Sequence, residues 1–305
     1  MSQNLCSGVE HRDIRKGVIL MMRFSRRNFL KAGAAGLVVA SSPVLVQAGA
    51  MVGKQRKIQV GVQLYSVRDL CKKDLVGTLK AIKEMGYAGV EFAGYHGKTA
   101  KELKQILDDT GLVMCGTHTG LDSIKPQNIA ATIAFNQETG NKYLMVPGMG
   151  AKTQQEWLEA AKTFSEAAVA AKAAGMYVGY HNHQHEFKDK FDDGKCKWET
   201  LFDNASPDVC TQLDVGHVVS AGQDPVAWLK KYPNRSRTLH AKEIYPGPGV
   251  LGQVPEGMKG VKWDDVFAAA EADVTEWYIV ESEADPNTLE KIRGCINFLK
   301  SKGRA

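Results

Sequence analysis

The chain has little cysteine. Six occur in 305 residues, and five of them (Cys71, Cys115, Cys196, Cys210 and Cys295) lie beyond the first fifty positions. An odd, scattered set in a chain this long argues against a disulfide framework. Cys115 and Cys210 sit in apolar runs and read as buried thiols. No Gly-x-Gly-x-x-Gly follows the first apolar run, so a dinucleotide-binding fold has no support. Surplus charge is missing from the body as well. The formal net charge is +5, but residues 1–50 hold Arg12, Arg15, Lys16, Arg23, Arg26, Arg27 and Lys31 against only Glu10 and Asp13. The other 32 basic and 32 acidic residues cancel. A neutral body offers no general field for nucleic acid or an anionic membrane. No linker or low-complexity segment interrupts it.

The charged leader has its own pattern. Ser25-Arg26-Arg27-Asn28-Phe29-Leu30-Lys31 is followed by an apolar stretch from Ala32 to about Val46, with small residues at Ala48 and Ala50. Basic region, short apolar region and small-residue cleavage site are the order of a secretory signal. The stretch is too short and too broken by Gly, Ser and Pro for a comfortable membrane span. The twin arginines with both flanks resemble the bacterial twin-arginine export signal. That resemblance implies passage through the twin-arginine machinery as a folded protein, and cleavage after Ala48 or Ala50. The product would be periplasmic or secreted, without stable membrane association. An uncleaved anchor is the competing reading. Met21-Met22 marks a second expected start.

From Lys57 onward strand and helix patterns alternate. Strands are expected over Ile58–Tyr65, Tyr87–Phe92, Leu112–His118, Tyr143–Pro147, Met176–His183, Val209–Asp214, Thr238–Ile244 and Trp277–Glu281. They are short, apolar and bounded by Gly or polar residues. Between them, apolar residues recur at i, i+3 and i+4, as over Leu75–Met85, Ala100–Asp109 and Gln154–Ala174. Gly86, Gly111, Gly140 and Gly175 supply left-handed helix stops. Eight such units in about 250 residues are the count of a single-domain (β/α)₈ TIM barrel over residues 55–305. A doubly wound open sheet is the runner-up.

Metal-binding side chains crowd the ends of four expected strands. They lie in His181-Asn182-His183-Gln184-His185-Glu186, Leu213-Asp214-Val215-Gly216-His217, His240-Ala241-Lys242-Glu243 and Glu281-Ser282-Glu283. Side chains at i and i+2 of a strand share a face. His181 and His183 therefore point the same way, as do His240 with Lys242 and Gln63 with Tyr65. Glu91 ends the second strand and His118 the third. A single strand-end histidine is usually structural. Five of the seven histidines beyond residue 50 (His118, His181, His183, His217, His240) nevertheless map to one rim, where such barrels hold their active sites. His96 is expected on the surface.

These residues resemble the xylose isomerase-like barrel superfamily, often called sugar phosphate isomerases/epimerases. The motifs are Gly61-Val62-Gln63-Leu64-Tyr65-Ser66-Val67-Arg68-Asp69, Gly89-Val90-Glu91, His181-Asn182-His183, Leu213-Asp214-Val215-Gly216-His217, His240-Ala241-Lys242 and Glu281. The resemblance implies one divalent metal held by His181, Asp214, His240 and Glu281. It implies substrate contacts from His217, Gln63, Tyr65, Glu91 and His118, with His183 and Lys242 lining the pocket. Glu186 is a further candidate acid or base. One departure stands out: the sugar epimerases carry Glu on the fifth strand, where this chain has His181. The two-carboxylate couple is therefore broken. Glu186 or His183 replaces the missing base, or a single base suffices, as in an isomerase or a β-eliminating lyase.

The chemistry expected is a metal-dependent sugar isomerase/epimerase working through an enediolate. Glu281 or Glu186 takes the α-proton. The ligand set favours Mn²⁺, Co²⁺ or Zn²⁺. The alternative is a lyase or hydrolase acting on oxidised (3-keto) glycosides, which exported location makes attractive. A DNA-repair nuclease of the same fold conflicts with the neutral body. A sugar-binding barrel without catalysis leaves the candidate bases unused.

Overall fold

A computed structural model describes residues 57–283 and 289–305. Eight parallel strands close in chain order into a barrel: β1 (Gln59–Gln63), β2 (Gly89–Ala93), β3 (Val113–His118), β4 (Tyr143–Val146), β5 (Tyr177–His181), β6 (Cys210–Asp214), β7 (Thr238–Ala241) and β8 (Trp277–Val280). Helices return the chain between successive strands. The expected (β/α)₈ architecture is the observed one. Gly86, Gly111, Gly140 and Gly175 all take positive φ, between 68° and 103°, as helix stops require. The leader and its export motif lie outside the described residues. Among those described, no helix is long and apolar enough to cross a membrane.

Strand alternation builds two interiors. One set of side chains points outward and packs under the helices. Tyr180 is typical: its ring meets Trp157 and Phe164 edge-on, at 5.6 and 5.9 Å between centroids. Truncating a fully buried aromatic of this kind costs about 3–5 kcal/mol. The other set fills the bore. Cys115, Tyr143, Met145, Cys210, Trp277 and Ile279 form a separate apolar cluster there. Above it, the register pairs Gln63 with Glu91, His181 with Gln212 and Asp214 with His240. The bore is thus apolar at one end and polar towards the carboxyl ends of the strands.

Three strands stop two or more residues earlier than their apolar patterns suggest. β1 ends at Gln63, and Leu64–Val67 form a 3₁₀ turn. β5 ends at His181 and β7 at Ala241. Parity fails where the strand has ended: Gln63 is fully enclosed, whereas Tyr65 is 45% exposed under the Arg68 guanidinium. Short helices over His185–Lys188 and Val215–Ser220, absent from the sequence-based expectation, turn the chain over the mouth.

The chain from Ile244 to Val261 makes a long excursion before the helix Trp263–Glu271. It is gathered by one buried carboxylate. Glu243 accepts from the N–H of Ile244 (3.3 Å), Gly252 (2.8 Å) and Val261 (3.1 Å), and from Trp263 Nε1 (2.9 Å). The same crossing explains Gly216. A Cβ there would lie 2.2 Å from the Glu243 carbonyl oxygen, so the helix after β6 can begin against β7 only without a side chain. Gly216→Ala is expected to destabilise the protein by about 1–3 kcal/mol, the usual cost of overpacking. Thermal unfolding checks this; an unchanged melting temperature would contradict it.

Candidate metal centre

Four donor residues converge at the polar end of the bore. His181 on β5, Asp214 on β6, His240 on β7 and Glu281 just beyond β8 each offer an atom, and these atoms lie within 4.8 Å of one another. All four residues are buried. A second group, His118, His181 and His240, overlaps the first. The folding logic is local. Layers in such a barrel come from alternate strands: His181 is level with Gln212 and His240 with Ile279, and Asp214 and Glu281 stand one inward position beyond those partners. Asn182 fixes the height of β6 against β5. Its Oδ1 accepts from the Asp214 N–H (2.9 Å) and its Nδ2 donates to the Asp214 carbonyl (3.2 Å).

Each donor has a defined electrostatic setting. Burial, followed by the neighbouring imidazoles, pushes His181 far below the ordinary histidine value, so its ring is neutral. Burial opposes charge on His240, but Glu91 and Glu281 outweigh it and raise it to about 10. Its ring bridges the two carboxylates at 2.7 Å, Nδ1 to Glu281 Oε2 and Nε2 to Glu91 Oε2. Glu281 is held well below the carboxylate range, because Lys242 and His240 override its burial. Asp214 is raised by burial. Its Oδ1 accepts from the His217 N–H at 2.9 Å and caps the helix Val215–Ser220.

The residues fit a divalent cation. His181 Nδ1 and Asp214 Oδ2 are buried with no hydrogen-bond partner. Leaving such groups unpaired costs about 1–3 kcal/mol each. Both belong to the convergent set. Two imidazoles and two carboxylates suit a borderline transition metal.

Around this cluster the other expected site residues divide. Lys242 Nζ is 3.9 Å from both Asp214 Oδ2 and Glu281 Oε1, 2.9 Å from Glu283 Oε1 and 2.9 Å from His217 Nε2. Burial works against its charge, but Glu281, Asp214 and Glu283 outweigh it and raise it. Burial and the Lys242 charge lower His217 to about 3. Its Nε2 faces the ammonium as an acceptor, so Nδ1 carries the proton, and that N–H has no partner. His183, lowered chiefly by burial, stands 5.0 Å from the His217 ring. His183, His217, Gln184, His185 and Tyr245 share a cavity of about 280 Å³ at the mouth. A larger groove of about 960 Å³ lies between Val219–Lys230 and the helix Trp263–Glu271, away from these donors.

Three residues expected at the site are fully enclosed among hydrogen-bond partners. Glu91, expected as a substrate contact, is fully enclosed, and its oxygens face Gln63, Gln212, His240 and His118. Gln63 is enclosed with it: its Nε2 donates to Glu91 (2.8 Å) and its Oε1 accepts from the Tyr65 N–H (3.1 Å). Glu186, expected as an acid or base, is also fully buried. It accepts from Tyr180 Oη (2.7 Å) and from the His183 N–H (2.8 Å), so it fixes the turn after β5. His118 remains partly exposed, with Nε2 2.9 Å from Gln212 Oε1. No individual role was expected of Gln212, Asn182 or Glu283. Only Gln212 had a usable signal, its i−2 spacing from Asp214.

Comparison with known proteins agrees with this architecture. The model of the family described as xylose isomerase-like TIM barrel matches residues 79–302. Among curated proteins, an inosose dehydratase of Bacillus cereus (strain AH820) is 27% identical over 180 residues, 49% of this chain and 56% of the relative's length. The chain thus spans little more than half of that relative. An inosose dehydratase of Clostridium botulinum (strain Alaska E43 / Type E3) is 24% identical over 267 residues, 73% of this chain and 89% of the relative. Among solved structures, a sugar phosphate isomerase/epimerase from Parabacteroides distasonis has a TM-score of 0.68 at 25% identity, covering 83% of this chain and 97% of that one. With a family match across most of its length, the chain belongs to the xylose isomerase-like TIM barrel family.

Proposed function

We propose that this protein is a divalent-metal-dependent enzyme that removes the proton α to the carbonyl of a sugar-like, polyhydroxylated substrate. The observation that carries the reading is the convergence of four buried donor residues, two of which hold a buried atom, His181 Nδ1 and Asp214 Oδ2, without a hydrogen-bond partner. A cation held by His181, Asp214, His240 and Glu281 would act as a Lewis acid on the substrate carbonyl. Glu281 is the base, ionised and at the cluster. Lys242 sets a positive charge beside the oxygen on which negative charge develops. The free Nδ1–H of His217 donates to a substrate oxygen, and His183 and Tyr65 border the entry.

A single working carboxylate decides between outcomes. Two-base epimerisation needs a base on each face, but imidazole replaces the fifth-strand carboxylate, and Glu186 is locked in its turn. β-Elimination and proton transfer between neighbouring carbons each need one base, since Glu281 can return the proton it takes. Elimination is the leading reading, in keeping with relatives named dehydratases. Isomerisation is the second, supported by a structural neighbour named sugar phosphate isomerase/epimerase. We also infer a leader over residues 1–50, cleaved on twin-arginine export, and a metal enzyme working in the periplasm or outside.

Chelation is expected to abolish turnover, and added Mn²⁺, Co²⁺ or Zn²⁺ to restore it. Asp214→Ala should lower kcat/KM by more than about 100-fold, beyond the loss typical of partners behind a ligand. The assay offers free ketoses, cyclic polyol ketones and 3-keto glycosides in deuterated water. Loss of a substituent by mass spectrometry marks elimination; label gain without mass loss marks isomerisation. Activity that persists in metal-free protein would sink the reading. Replacing Arg26 and Arg27 by Lys should leave the full-length chain in the cytoplasm; fractionation with unaltered export would refute the leader.

A further inference from the structure

Glu91 is fully enclosed in the bore beside the metal-donor cluster, yet more hydrogen-bond donors converge on it than on any of those four residues. Gln63 Nε2 (2.8 Å) and His240 Nε2 (2.7 Å) face Oε2, Gln212 Nε2 (2.8 Å) faces Oε1, and His118 Nε2 stands 3.2 Å from Oε2. Space for it is reserved: a Cβ on Gly116 would fall 2.4 Å from Glu91 Oε1.

The hydrogen positions around this carboxylate are fixed by elimination. Gln63 Oε1 receives the Tyr65 N–H, so the amide must turn its NH₂ to Glu91. Gln212 donates to Glu91 and to Thr238 Oγ1 (3.0 Å). Its oxygen therefore faces His118 Nε2, which must carry a proton. An ionised carboxylate only accepts, so His240 Nε2 must also carry one. The other nitrogen, Nδ1, is directed at Glu281 Oε2 (2.7 Å) and Asp214 Oδ2 (3.9 Å); by the same rule it carries a proton in the metal-free ring, which a bound cation would displace.

We propose that Glu91 is a positioning residue. By holding the Nε2–H of His240, it presents Nδ1 to the cation and prevents the ring from turning or changing tautomer. A carboxylate behind a ligating imidazole both orients the ring and makes it a stronger ligand. Gln63, Gln212 and His118 hold that carboxylate in turn. Nothing smaller or half-donating serves: a carboxamide at position 91 would set an N–H against at least one of the converging donors. The inference rests on the metal centre proposed above, but concerns affinity rather than the reaction.

The test is Co²⁺ binding by the mature protein and by Glu91→Gln, followed by competition and by the visible spectrum. Glu91→Gln is expected to bind Co²⁺ about 10–100-fold more weakly, with an altered spectrum in folded protein. Equal affinity and an unchanged spectrum would overturn the role, even if stability falls. Should the variant not fold, NMR of cadmium-loaded wild type with nitrogen-labelled histidine decides. The role requires coupling to cadmium through His240 Nδ1 and a retained, exchange-protected Nε2 proton. Coupling through Nε2 would overturn it. A wild type that binds neither cobalt nor cadmium would bring down the metal centre, and this role with it.

Discussion

An ionised group taken out of water costs several kcal/mol unless opposite charge or hydrogen-bond donors replace the solvent. The polar end of this barrel is organised around that requirement. Glu91, Asp214 and Glu281 are enclosed with the cationic His240 and Lys242. The carboxylates do not share their partners equally. Glu91 is surrounded by donors, Glu281 has an imidazolium at 2.7 Å, and Asp214 Oδ2 is left bare. Compensation is thus complete in the depth of the bore and incomplete at its rim. An incoming cation would complete it where the pocket opens.

Strand period gives this gradient its form. Inward residues alternate along each strand, and parallel neighbours hold the layers level. The lowest inward layers pack as an apolar plug of Cys115, Tyr143, Met145, Cys210, Trp277 and Ile279. Gln63, Glu91, Gln212 and Thr238 follow, then the four donors. Outward neighbours such as Tyr180 belong to the other core, and its hydroxyl reaches back to Glu186. One residue on a strand thus serves the scaffold, and the next serves the chemistry.

The sequence was legible wherever period or crowding spoke. Eight apolar runs separated by amphipathic segments led to the barrel. Five histidines on one rim led to a metal site there, and the family resemblance picked out His181, Asp214, His240 and Glu281 as its ligands. It misled at strand ends. Apolar patterns run past the last ladder hydrogen bond, so parity carried Tyr65 inward with Gln63, whereas the 3₁₀ turn carries it out. It did not tell acidic residues apart. Glu91 and Glu186 look alike as carboxylates near a mouth, but burial and hydrogen bonding decide what each does, and neither is written in residue type. Asn182 and Gln212 escaped notice because an amide that joins strands resembles an amide in a loop.

Glu243 has a consequence for the rim. Four N–H donors spread from Ile244 to Trp263 end on a single side chain. The excursion is drawn together at that side chain, with further anchors where the Tyr245 N–H donates to Ser220 Oγ (2.8 Å) and Leu251 is buried. Glu243 thus ties the start of the segment that holds Tyr245, whose ring lies 5.8 Å from that of His217, to residues far along the chain.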